Sequence, residues 1–192
     1  VQGDGETNAT DLTVTVGPGN TVEFAIDDTN GDYLQVTGIA DIDLFGFVSV
    51  SGGFGIEKKT GQDLYISGSG VENVKVKADL LTIGLSNVSA FVGAGEMGLR
   101  LTGVNLAIAL WSEVVAEGQT ARTWTSVMGA VGSAAFEGLS GLTIAVTSAG
   151  IVINKENEID QTVVDYVQGD GETNATDLTV TVGPGETVEF AI

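Results

Sequence analysis

The segment Val1–Ile26, VQGDGETNATDLTVTVGPGNTVEFAI, recurs at Val167–Ile192 with a single change, Asn20 against Glu186. Any fold of this chain must place the same 26-residue piece twice, 166 residues apart. A match of this length does not arise from shared composition. Two origins are open: a tandem array with a period of 166 residues, or an artificial duplication of the first segment. The one difference favours the array, because a copied piece would be identical. On this reading residues 1–166 are one complete repeat unit and residues 167–192 are the first hairpin of the next. The chain opens at Val1 without Met and shows no signal peptide, as expected of an internal piece of something longer.

Within one period the pattern is that of strands. Leu12, Val14 and Val16 alternate with threonines, Gly17-Pro18-Gly19-Asn20 supplies a turn, and Val22, Phe24 and Ile26 resume the alternation, which predicts a hairpin. Leu34 to Leu44 is a long period-two strand with a polar face, followed by a disturbance of phase at Phe45-Gly46-Phe47. Val48 to Ile56 predicts a strand closed by a turn at Lys58–Gly61, with a short strand at Leu64 and Ile66. Leu81 to Val92 and Val104 to Trp111 are apolar at odd and even positions alike. Such strands are buried on both sides, or their outer face meets another unit. Trp124 to Phe136 reads as strand, because Gly129 and Gly132 weaken a helix there. The expected architecture is all-β: long, mostly antiparallel strands in a sandwich or flattened barrel. The alternative, a β-solenoid, needs a regular short period that the sequence lacks. No linker rich in Pro, Ser or Gly separates the repeats, so a stiff array is expected.

Composition narrows the function. There is no Cys and no His, which removes disulfides, the usual zinc sites, haem and Ser/His or Cys/His nucleophile systems. With 26 acids against 7 bases the net charge is −19, which disfavours nucleic acid and anionic lipid and suits hard cations. No run of about 18 apolar residues is present, so no membrane insertion by a helix is expected.

The acidic loops are the candidate metal sites, with calcium as the cation. At the repeat junction Asp165, Asp170, Glu172, Asn174 and Asp177 offer alternating oxygens near glycine, and the first copy offers Asp4, Glu6, Asn8 and Asp11. A second loop holds Asp27, Asp28, Asn30 and Asp32. Neither is an EF-hand, and each also reads as a solvated acidic turn. Asp41 and Asp43 lie two apart on one strand face, but a wet sheet face explains them better than glycoside hydrolysis, and no enzyme is expected. Gly93–Gly98 has the look of a dinucleotide loop without the βαβ context that would make it one. Trp111 and Trp124 are expected in the core rather than on a sugar platform.

Residues Asp32–Lys58, Ser86–Leu110 and Ala134–Asn154 resemble the long repeats of very large bacterial surface proteins, of the giant adhesin or surface-filament type. The resemblance is carried by Leu44-Phe45-Gly46-Phe47-Val48-Ser49-Val50-Ser51-Gly52, Asn87-Val88-Ser89-Ala90-Phe91-Val92-Gly93 and Gly138-Leu139-Ser140-Gly141-Leu142-Thr143. It implies an exported, tandem, all-β protein at the cell surface, and it hands over no catalytic residue. In such proteins acidic junction loops often hold calcium, which maps onto Asp165, Asp170, Glu172, Asn174 and Asp177. The expected function is therefore a structural repeat module of an extracellular fibre or giant adhesin. Its partners are neighbouring copies of the repeat, and the hairpin Leu12–Ile26 and its copy Leu178–Ile192 pair with the adjacent unit to seal its edge. The competing expectation is a calcium-stiffened module presenting a sugar- or ice-binding surface.

Overall fold

The computed structural model describes residues 12–24, 32–68, 70–138, 141, 143–166 and 176–189. All regular structure among them is β. The strands in chain order are β1 (Leu12–Gly17), β2 (Asn20–Phe24), β3 (Leu34–Leu44), β4 (Val48–Gly68), β5 (Val71–Ala94), β6 (Met97–Glu113), β7 (Thr123–Glu137), β8 (Ile144–Val146), β9 (Ala149–Lys155), β10 (Val163–Val164), β11 (Thr179–Gly183) and β12 (Glu186–Glu189).

Strands β3 to β10 form one antiparallel sheet. Hairpin-connected neighbours β3 to β7 pair in sequence, β8 and β9 share the outer side of β7, and β10 pairs with the far end of β4. The sheet does not close into a barrel, and the strands are joined by hairpins rather than by the coils of a solenoid. β1–β2 and β11–β12 are separate two-stranded hairpins.

Two boundaries differ from the sequence expectation. Lys58–Gly61 is not a turn, because β4 runs on through it for 21 residues. Gly61 takes φ +63° and the register against β5 slips by one between Lys59 and Gln62, so the glycine makes a bulge inside the strand. The disturbance at Phe45–Phe47 is a hairpin turn, held by Phe47 N–H donating to Leu44 O at 3.0 Å. Asp43 caps the same turn, its Oδ1 accepting from Gly46 N–H at 3.0 Å. Gly95-Glu96 is the turn between β5 and β6, which accounts for the glycine run there.

The register assigns each side chain to a face. On one face Gly55, Gly84, Ala107, Met128 and Val152 lie abreast, with Glu57, Thr82, Ala109, Ser126 and Asn154 in the next row, then Leu80, Trp111 and Trp124. On the other face the central row is Val36, Ile56, Ile83, Ile108, Val127 and Ile153. It is flanked by Gly38, Phe54, Leu85, Leu106, Gly129 and Ile151 on one side and by Leu34, Lys58, Leu81, Leu110, Thr125 and Lys155 on the other. The chain beyond β9 turns back over the first face. The core lies there: Leu64, Ile66, Ala78, Leu80, Ala107, Ala109, Trp111 and Trp124 from the sheet, against Val164, Tyr166, Leu178, Val180 and Val182 from the covering segment.

Candidate functional site: the hairpin seam

The two copies of the repeated segment have one local structure and two environments. Val14 opposes Val22 and Thr15 opposes Thr21 in the first copy. Val180 opposes Val188 and Thr181 opposes Thr187 in the second, the same register displaced by the repeat. Both have a register slip before the Gly-Pro-Gly turn, and Gly19 and Gly185 take φ +75° and +72°. Pro at the first corner with a left-handed Gly at the second is what such a tight turn demands. Yet Val14 is 38% exposed where Val180 is 0%, and Val22 is 48% exposed where Val188 packs against the core. The sequence dictates the hairpin, and the surface it meets dictates the burial. Asn20 and Glu186, the one difference, are both exposed at the turn.

What seats the second copy is a track of glycines. A Cβ added at Gly55 or Gly84 would overlap the carbonyl oxygen of Thr181, and at Gly84 it would also stand 2.6 Å from Val182 Cα. A Cβ at Gly53 would overlap Ser86 Oγ and stand in ordinary contact with Gly183 Cα at 3.5 Å. Gly55 and Gly84 are register partners on β4 and β5, and Gly53 lies two residues along the same face. At Gly55 and Gly84 the β11 backbone thus rests directly on the sheet backbone, while the Ser86 hydroxyl lies beside both Gly53 and Gly183. Leu178, Val180 and Val182 then fill the space beside the track, each burial being worth roughly 1.5–3 kcal/mol. Gln35 Nε2 donates to Thr181 Oγ1 at 3.2 Å at the margin.

The approach to the seat is fixed by a chain of buried hydrogen bonds. Trp111 Nε1–H donates to Tyr166 Oη at 3.2 Å, Tyr166 donates to Ser126 Oγ at 2.9 Å, and Ser126 donates to Asn154 Oδ1 at 3.1 Å. Asn154 Nδ2 closes the run on Val164 O at 2.8 Å. Burial pushes the Tyr166 phenol up, against its hydrogen bonds with Ser126 and Trp111, so it stays neutral as the relay requires. Trp124 Nε1 donates to Thr162 O at 3.1 Å. Both tryptophans are buried, Trp111 at 3% and Trp124 at 1% exposure, so neither offers a face for sugar stacking.

Beside this relay Arg122 forks onto Glu113, with Nη2 to Oε1 at 2.5 Å and Nε to Oε2 at 2.8 Å, and reaches Asp160 Oδ2 through Nη1 at 2.7 Å. Its guanidinium lies 5.4 Å from the Trp124 ring centre. Burial raises the Asp160 carboxyl, but hydrogen bonds from Thr162 and Arg122 outweigh it and hold it at about 2. Hydrogen bonding from Arg122 also lowers Glu113, against burial. One acid, Glu57, is buried on the covered face, 3.1 Å from Lys59 Nζ. Thr82 Oγ1 is buried there without a hydrogen-bond partner among the described residues.

Of the expected metal ligands the structure describes three. Asp165 belongs to the seam: its Oδ2 accepts from Ser67 Oγ at 2.7 Å, its N–H donates to Tyr65 O at 2.9 Å and its carbonyl accepts from Thr176 N–H at 2.6 Å. Asp32 is exposed, and its N–H donates to Thr60 Oγ1 at 2.7 Å. Asp177 is exposed next to Thr176, whose Oγ1 accepts from Tyr65 N–H at 2.9 Å. Asp4, Glu6, Asn8, Asp11, Asp27, Asp28, Asn30, Asp170, Glu172 and Asn174 lie outside the described residues. Among the described residues no three acids come together as a metal-binding group. Asp41 and Asp43 serve β3 and its turn: Ser51 Oγ donates to Asp41, and Asp43 holds Gly46.

Sequence reasoning expected the hairpin to pair with a neighbouring unit, and it did not name the glycines on which the second copy rests. The available signal was the pair Gly53 and Gly55 on one face of β4 with Gly84 inside an otherwise apolar stretch of β5. Comparison with protein-family models, with curated proteins and with solved structures finds no match for this chain.

Proposed function

We propose that the chain is the structural repeat module of a tandem fibre or giant surface adhesin, outside the cell, in which each unit receives the first hairpin of the next. The observation that carries this is the pair of environments of one sequence. The second copy of the hairpin is seated in the Gly53–Gly55–Gly84 track, while Val14 and Val22 of the first copy stay open to solvent. In an array each unit offers its own hairpin backwards and its track forwards, so every apolar hairpin face is buried once. The join is strand-to-sheet packing without a linker, which makes the array stiff. Acidic junction loops carrying calcium belong to this reading as its cation-dependent part.

The test is to produce residues 1–166, which keep a donor hairpin and an empty track. Sedimentation velocity is expected to show head-to-tail oligomers that residues 1–192 do not form, and Val14→Asp is expected to abolish them. A monomeric 1–166 with the stability of 1–192 overturns the proposal.

A further inference from the structure

The face opposite the hairpin seat is unused by the seam. Its central row, Val36, Ile56, Ile83, Ile108, Val127 and Ile153, is β-branched at every position across six strands. The rows on either side add no acid, although the chain carries 26, and the two lysines both stand in one outer row. The face is open: Val36 is 45% exposed and Ile153 41%, and Leu34 at the margin 55%. A contiguous patch of this size on a soluble chain marks an interaction surface.

We propose that this aliphatic face pairs with the same face of a second copy of this chain. Three features point to that occupant. Two molecules of charge −19 repel each other except where a surface lacks acids, and these three rows hold none; Asp79 stands on the same face in the row beyond Leu81 and Leu110, where it accepts from Gly61 N–H at 3.0 Å. Six strands at about 4.8 Å and three rows at about 6.8 Å give about 600 Å² per copy, so about 1,200 Å² for the pair, where stable specific interfaces begin. Rows of β-branched side chains on a pleat meet their own kind at matching pitch, as the inner faces of a β-sandwich do. A hydrocarbon environment fits less well, because among the described residues β3 and β9 leave open sheet edges whose backbone groups lipid cannot satisfy. In the proposed fibre this pairing joins two arrays side by side, but it does not depend on the tandem reading.

The test uses the full 192-residue chain. Sedimentation equilibrium is expected to show a monomer–dimer equilibrium that tightens at least several-fold between low and physiological salt, as screening removes the repulsion. Ile108→Lys is expected to weaken dimerisation at least tenfold with an unchanged circular dichroism spectrum. Should that variant misfold, the marginal Ile153→Lys gives the same reading. The chain has no native cysteine, so Ile108→Cys is expected to form a covalent dimer on oxidation, while Glu117→Cys in the exposed β6–β7 loop is not. In the full chain the track is filled by its own second hairpin, so this dimer is expected without any head-to-tail join, and the two proposals fail separately. A chain that stays monomeric at millimolar concentration overturns the proposal. So does a dimer indifferent to both lysine substitutions, or flotation of the monomer with neutral phosphatidylcholine vesicles.

Discussion

Val14 and Val180 are the same residue of the same hairpin, and they differ only in what they face. Truncating each to alanine separates the hairpin's own stability from the seat's. Val180→Ala is expected to cost about 2–3 kcal/mol and Val14→Ala less than about 0.5 kcal/mol, read by urea unfolding. Equal costs would mean that the seat contributes nothing. The glycines are the other half of this contact. Gly84→Val would drive a side chain into Thr181 O and the Val182 backbone, and about 2–3 kcal/mol of destabilisation is expected from the same measurement. At this scale the sequence was most legible where the code is local. The period-two alternation and the Gly-Pro-Gly turn predict both hairpins. A glycine that accepts a distant backbone leaves no local mark to separate it from one that makes a bulge, as Gly61 does.

Between elements, the covering segment is tied down by the Trp111–Tyr166–Ser126–Asn154 relay and by the Arg122 fork. Tyr166→Phe removes the middle hydroxyl, leaving Trp111 Nε1–H and Ser126 without it, and is expected to cost about 1–3 kcal/mol. Thr82→Val removes a buried unpartnered hydroxyl and is expected to gain about 1 kcal/mol, both read as shifts in the unfolding midpoint. The fork gives a pH dependence whose sign follows from its carboxylates. Asp160 is held at about 2 from an ordinary 3.8, and Glu113 is lowered from 4.5. A carboxylate depressed in the folded state contributes stability above its unfolded value and loses it as pH falls through the folded one. Tm is therefore expected to drop between about pH 4.5 and 2, and Arg122→Gln to flatten that drop. None of these ties was readable in advance. Glu113 ends β6, Arg122 ends the loop that follows and Asp160 lies between β9 and β10, and only the fold brings these ordinary charges together. The continuous β4 was misread as two strands for a related reason, since a Lys-Lys-Thr-Gly run carries the same signal for a bulge as for a turn.

Over the whole molecule, one sheet has two faces of different character. The first is small and glycine-lined under the hairpin, aromatic under Tyr166, and complete once the second copy is seated. The second is aliphatic and open. The sequence showed this only as apolar residues on both sides of β5 and β6, which fits burial and association equally well. In the proposed array charge governs assembly: residues 1–166 hold 21 acids against 7 bases, so repulsion would grow with every unit. Added calcium is expected to raise Tm relative to chelator by acting on the acidic loops, and an unchanged Tm removes the cation from the account. The central claim is that the hairpin is a separable piece received by the sheet. Isothermal titration of a peptide of residues 167–192 into residues 32–166, which lack both copies, tests it directly. The expected result is a one-to-one complex with a higher Tm than the sheet alone. A peptide that neither binds nor shifts Tm would contradict it.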